Sequence, residues 1–136
     1  MILADTSAWM EYDRATGSAV DQRLTNLIET GGPLAVTEPV VMEVLAGVRD
    51  QGWEVALRRL MLRFELLRFN PVVDFDAAAL TYRRCRRAGV TPRGMVDCMI
   101  AAVAFRRGAT LLARDADLER VATVIGVDLD EASLRS

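Results

Sequence analysis

Four acidic residues stand where acids are costly. Asp5 ends the apolar run of "ILADTSAW", and Asp115 ends that of "ATLLARDADL". Glu43 is set in "VVMEVLAG", and Asp97 in "RGMVDCMIAAVAF", among Met95, Val96, Cys98, Met99 and Ile100. A helix apolar almost all round is a buried helix, and an ionised carboxylate inside it must be paired. Asp5 and Asp115 each follow an apolar run and precede a helical pattern, where Asp also serves as a helix N-cap. The same edge, past the carboxyl ends of parallel strands, is where open α/β sheets bind ligands. Carboxylates gathered in one pocket repel and hold each other's protons. A divalent cation removes that cost, and hard oxygen donors suit Mg²⁺, with Mn²⁺ as its substitute. Such an ion acidifies a water and neutralises charge on a phosphate. In this reading Asp5, Asp97 and Asp115 hold the metal. Glu43 either orients the attacking water or joins the metal shell, and Asp117, two residues past Asp115, is a further candidate that would share or replace the role of Asp115 if it faces the pocket.

Two absences narrow the chemistry. The chain has no His, and all 17 basic residues are Arg. Without His or Lys there is no Ser-His-Asp or Cys-His machinery, no Schiff base and no P-loop lysine. Arg stays protonated and cannot serve as a base. Proton transfer therefore falls to Asp and Glu, helped by a metal. A phosphatase with an Asp after its first strand also wants a Lys, and a second acid where Ser7 stands.

The elements that must position these acids alternate. Ile2–Ala4 is expected as a strand, Ser7–Met10 as a short helical start, and Ala19–Glu29 as a helix stopped by Gly31-Gly32-Pro33. Leu34–Val36 is a second strand. Thr37 caps a helix with Pro39 in its first turn, running to about Val48, and Trp53–Arg63 is another. In "FELLRF" (Phe64–Phe69) the second half reads as a strand. Asp74–Arg87 is helical and closed by Gly89. Thr91-Pro92 opens a helix to Arg107, stopped by Gly108. Thr110–Ala113 is a strand, Asp117–Val124 a helix and Ile125–Leu129 a last short strand. This βα alternation predicts a parallel sheet with helices on both faces. At 136 residues the chain is about one domain long. Cys85 and Cys98 lack ligand spacing and read as core residues. With no signal-like or spanning segment, the expected location is cytoplasmic, with no membrane contact.

The order Asp5, Glu43 in "EVLAG", Asp97 in "VDCMIAA" and Asp115 in "RDADL" resembles the PIN-domain nucleases, and is most similar to the VapC toxins of toxin-antitoxin pairs. The likeness spans the whole chain, so residues 1–136 are expected to form a single PIN domain. The resemblance implies a three-layer α/β/α sandwich around a mainly parallel sheet of 4–5 strands. It implies a metal-dependent endoribonuclease cutting structured RNA (transfer or ribosomal RNA), a cognate VapB-type antitoxin and a homodimer. Thr6 or Ser7 falls where that family carries a hydroxyl beside the first acid. The alternative is a PIN-fold module that binds nucleic acid or a partner without cutting.

The formal charge is only −2, so RNA must be drawn by local clusters of Arg. Candidates are Arg86 and Arg87 in "YRRCRR", Arg114, and Arg93. Arg93 is expected in the first turn of the Asp97 helix, one turn before that acid, where it meets phosphate or Asp97 itself. Trp9, Met10 and Tyr12 read as packing residues or as a dock for an antitoxin helix.

Overall fold

The computed structural model describes residues 1–135. The chain runs β1 (Ile2–Ala4), α1 (Thr6–Asp13), α2 (Ala19–Thr30), β2 (Leu34–Val36), α3 (Glu38–Gly47), α4 (Gln51–Met61), β3 (Glu65–Leu66), α5 (Pro71–Arg87), α6 (Met95–Arg107), β4 (Thr110–Leu112), α7 (Ala116–Ile125) and α8 (Glu131–Leu134). The four strands are parallel, in the order β3-β2-β1-β4. Every residue of β1 and β2 is buried, so both faces of the sheet are covered. Helices α1 to α4 pack together in one group and α5, α6 and α7 in another, giving the expected α/β/α sandwich. Leu111 also bridges Leu129 in parallel, a rudiment of a fifth strand in place of Ile125–Leu129.

The core is aliphatic, built on Leu3, Val36, Ile100, Val103, Leu111, Leu112 and Leu118. Trp9 is fully buried in it, edge-on to Tyr12, so packing is the role it takes. Both cysteines are buried and free. Among the described residues no helix is long and apolar enough to cross a membrane.

The switch in strand order makes the site. The chain steps from β1 to β2 and β3 on one side, then returns to place β4 on the other side of β1. A crevice opens at the carboxyl edge where such a reversal occurs. Asp5 and Asp115, just past β1 and β4, are at that edge, and the Asp5 amide still donates to Leu112 O at 2.9 Å.

Several elements differ from expectation. The third strand is Glu65–Leu66, in the first half of "FELLRF". Leu67 N still donates to Val36 O (2.7 Å), but Phe69 N turns to Glu38 Oε1 (2.7 Å), which draws the chain off the sheet. Thr37 stands at the N-cap of α3 without making a side-chain cap, and its buried hydroxyl has no partner. The Asp97 helix begins at Met95, because Gly94 is extended at its N-cap. Arg93 therefore lies in the loop before that helix and not in its first turn. Helix α1 extends to Asp13.

Candidate active site

Each acid reaches the crevice by a local device. Asp5 is the N-cap of α1: its Oδ2 accepts from Ser7 N (3.0 Å) and from Ser7 Oγ (2.6 Å). Its Oδ1 is buried and has no partner. Asp115 is the N-cap of α7, and its Oδ1 accepts from Asp117 N (2.9 Å) and Leu118 N (3.2 Å). Glu43 comes from α3, where its Oε1 accepts from Thr6 Oγ1 at 2.6 Å. Asp97 lies in the first turn of α6, with a side chain only 13% exposed. These four, with Thr6, Ser7, Met10 and Arg93, line one cavity of about 170 Å³. Ser7 Oγ also accepts from Arg114 N (2.9 Å), so one hydroxyl joins the chain beyond β1 to the chain beyond β4.

The electrostatics follow from burial and crowding. Burial above all pushes the Asp5 carboxyl from 3.8 up to about 6, against the Ser7 hydroxyl and amide and the nearby Thr6 amide, and the Asp115 charge adds to the rise. Burial, then the charges of Asp5 and Asp115, pushes Asp97 from 3.8 up to about 7, although Arg93 opposes the rise. The pocket thus holds more negative charge than it neutralises. Its donors are all oxygens, one of them buried and unpartnered, which fits a hard divalent cation. Among the described residues no group of three acid or Cys side chains is drawn together tightly enough to hold an ion. A cationic place beside the acids is taken instead by Arg93. Its guanidinium donates to Asp115 Oδ2 and stands 3.7 Å from Asp97 and 3.4 Å from Asp117.

The other expected residues are distributed. Asp117 is outside the cavity lining and pairs with Arg120 at 2.7 Å. Arg114 turns its guanidinium to Glu11 on α1, a contact with no sequence signal. Arg86 and Arg87, with Arg83, line a separate basic recess at the end of α5. Spacing toward Asp97 points to Arg93; its contacts with Asp115 and Asp117, 22 and 24 residues on, have no such signal. Met10 lines the cavity, a place that its apolar character alone does not indicate.

A parallel sheet in this order with four acids at its switch point is the architecture of a PIN domain. The PIN domain model matches residues 2–124, and the chain belongs to that family. Within it, the chain is 44% identical to Ribonuclease VapC11 of Mycobacterium tuberculosis over 136 residues, covering 99% of this chain and 100% of that protein. It is 35% identical to Ribonuclease VapC32 of the same organism, covering 96% and 98% of the two chains. Among solved structures it is similar in fold to VapBC2 of Rickettsia felis bound to a DNA fragment from their promoter. That match has a TM-score of 0.73 at 17% identity, and covers 96% of this chain and 98% of the other.

Proposed function

We propose that this VapC-type PIN-domain endoribonuclease hydrolyses phosphodiesters of structured RNA, transfer or ribosomal, with a divalent cation held by Asp5, Asp97 and Asp115. Mg²⁺ is the ion, with Mn²⁺ as substitute. The observation that carries the reading is Asp5 Oδ1, a buried carboxylate oxygen with no protein partner, in a cavity that Asp97, Asp115 and Glu43 also line. An unpaired buried carboxylate is costly, and a cation at these oxygens removes the cost. When bound, such an ion acidifies water and neutralises phosphate charge.

The chain's own residues set the rest. Ser7 fixes the Asp5 rotamer through two hydrogen bonds to one oxygen, leaving the other for the ion. Thr6 holds Glu43 by its Oε1, so that Glu43 acts as the group that orients or deprotonates the attacking water. Arg93, Arg114 and the Arg86–Arg87 recess supply phosphate contacts, so binding weakens with salt. Large apolar side chains left exposed on α3 and α4 (Met42, Trp53, Val55) and on α5 and α6 (Val73, Leu80, Phe105) are faces for a VapB-type antitoxin and for a second copy of the chain. The VapBC relative supports that pairing.

Total RNA incubated with the chain in Mg²⁺, in EDTA, and with Asp5→Asn tests the reading. Cleavage giving 5′-phosphate ends is expected in Mg²⁺ alone, and loss of more than about a hundredfold in Asp5→Asn. Unimpaired cutting in EDTA overturns the metal assignment. Binding without cleavage by the unaltered chain favours the non-catalytic module.

A further inference from the structure

Resting on the metal-dependent reading above, we propose that Arg93 is a built-in rival of the divalent cation, and sets the metal concentration at which the site loads. The argument begins with which oxygens are available. Asp115 Oδ1 is held by two backbone amides at the start of α7, so Oδ2 is the oxygen Asp115 has left for a ligand. Arg93 Nη2 donates to that same Oδ2. The guanidinium also reaches toward Asp97 Oδ2 and Asp117 Oδ2, so one side chain answers three carboxylates.

Two features make this an exchangeable partner. Arg93 precedes the extended Gly94 in a loop, and its side chain is 64% exposed, so solvent lies on its outer side. It also has no neutral form to retreat to, since a guanidinium keeps its charge at any working pH. A second cation entering beside Asp5 Oδ1 meets Arg93 as a repelling charge and as the occupant of Asp115 Oδ2. Loading is therefore an exchange: Arg93 leaves Asp115 as the ion arrives. An exposed pair of this kind resists weakly, which is why the exchange is reversible and tunable.

The test uses the full chain and the metals alone. Mn²⁺ binding is titrated by electron paramagnetic resonance for the wild type, Arg93→Gln, Arg93→Lys and Asp5→Asn. Arg93→Gln is expected to bind Mn²⁺ about two- to fivefold more tightly than the wild type, from the weight of an exposed ion pair. Arg93→Lys, which keeps the charge without the planar fork, falls between them. In the wild type, the guanidinium N–H resonances missing from the Arg93→Gln spectrum shift toward those of a free side chain as Mg²⁺ saturates. Equal or weaker Mn²⁺ binding by Arg93→Gln overturns the rivalry while leaving the metal reading intact, as do guanidinium resonances unmoved by Mg²⁺. Absence of Mn²⁺ binding in every chain, or undiminished binding in Asp5→Asn, overturns the metal reading instead. If Arg93→Gln does not fold, the Arg93→Lys spectrum identifies the same guanidinium resonances by their absence, and their response to Mg²⁺ together with Mn²⁺ binding by Arg93→Lys decides the question.

Discussion

Replacing Asp97 by Asn in metal-free protein should stabilise the fold at neutral pH. Asp97 titrates near 7 in the folded chain against 3.8 as the ordinary value, first because it is buried and then because Asp5 and Asp115 are charged nearby. A raised carboxyl means folding favours the protonated form. Stability is therefore fullest below the unfolded value and is lost as pH rises through about 7. The gap between the two values sets a ceiling of about 4 kcal/mol on the loss. Because the neighbouring acids titrate with it, about 2–4 kcal/mol is the realistic range. Against this, the substitution removes only a 3.7 Å contact with a mostly exposed Arg93, worth less than about 1 kcal/mol. The ionisation penalty wins. In urea melts with EDTA, Asp97→Asn should exceed the wild type by about 2–4 kcal/mol at about pH 8, and by less than about 1 kcal/mol near pH 4. Saturating Mg²⁺ should narrow or invert the order at about pH 8, since an ion at about 100 times its Kd adds about 2.7 kcal/mol to the wild type. A variant less stable than the wild type in alkaline, metal-free buffer would refute the reasoning, because it would mean that the charge is satisfied by the protein itself.

Three further outcomes test separate parts of the architecture. Ser7→Ala removes a hydroxyl that both holds Asp5 and receives Arg114 N; a loss of about 1–2 kcal/mol in urea melts is expected, with slower cleavage by the folded fraction. Asp74, fully buried, accepts two hydrogen bonds from Arg106 and one from Asn70 N. Asp74→Ala should cost about 3 kcal/mol or more and leave cleavage per folded molecule unchanged. Arg86→Gln with Arg87→Gln should weaken RNA binding by Asp5→Asn chains and flatten its dependence on salt, by about one counterion for each phosphate the recess no longer neutralises, read by filter binding at several salt concentrations. An unchanged salt slope would remove that recess from the RNA path.

The strands β1 and β2 and the glycine-stopped helices were legible because their signals are local. Leu34–Val36 is a short apolar run, and Gly108 closes α6 at φ 64°, a conformation open to glycine at little cost. The four acids were legible for a different reason: each breaks an apolar pattern, and the break needs a partner. The sequence could not say what else meets them. Glu38 pulling Phe69 off the sheet spans 31 residues, and Arg114 reaching Glu11 spans 103. Neither leaves a periodic trace. The start of α6 differs from its sequence signal because Thr91-Pro92 reads as a helix opening, while the extended Gly94 delays the helix to Met95. That shift takes Arg93 off the helix, and from the loop it answers three acids instead of one.

The local folding device and the chemistry draw on the same residues. An Asp after a strand and before a helix has one oxygen engaged in the cap, as in Asp5 and Asp115. Its second oxygen is then held in a fixed direction without further support. The two caps are brought together by topology, because β1 and β4 are neighbouring parallel strands in register, Ala4 beside Leu112, about 4.8 Å apart. Asp5 thus lies level with Ala113, two residues short of Asp115. One oxygen on each acid serves the fold, and the other is left for a second partner. With no Lys or His in the chain, the protein can offer those oxygens only Arg, and Arg93 reaches Asp115 while Asp5 Oδ1 stays without a partner. A site balanced by its own side chains would have no oxygen left over. This one does, at the most buried of the four acids, and that asymmetry is the observation on which the proposed metal site rests.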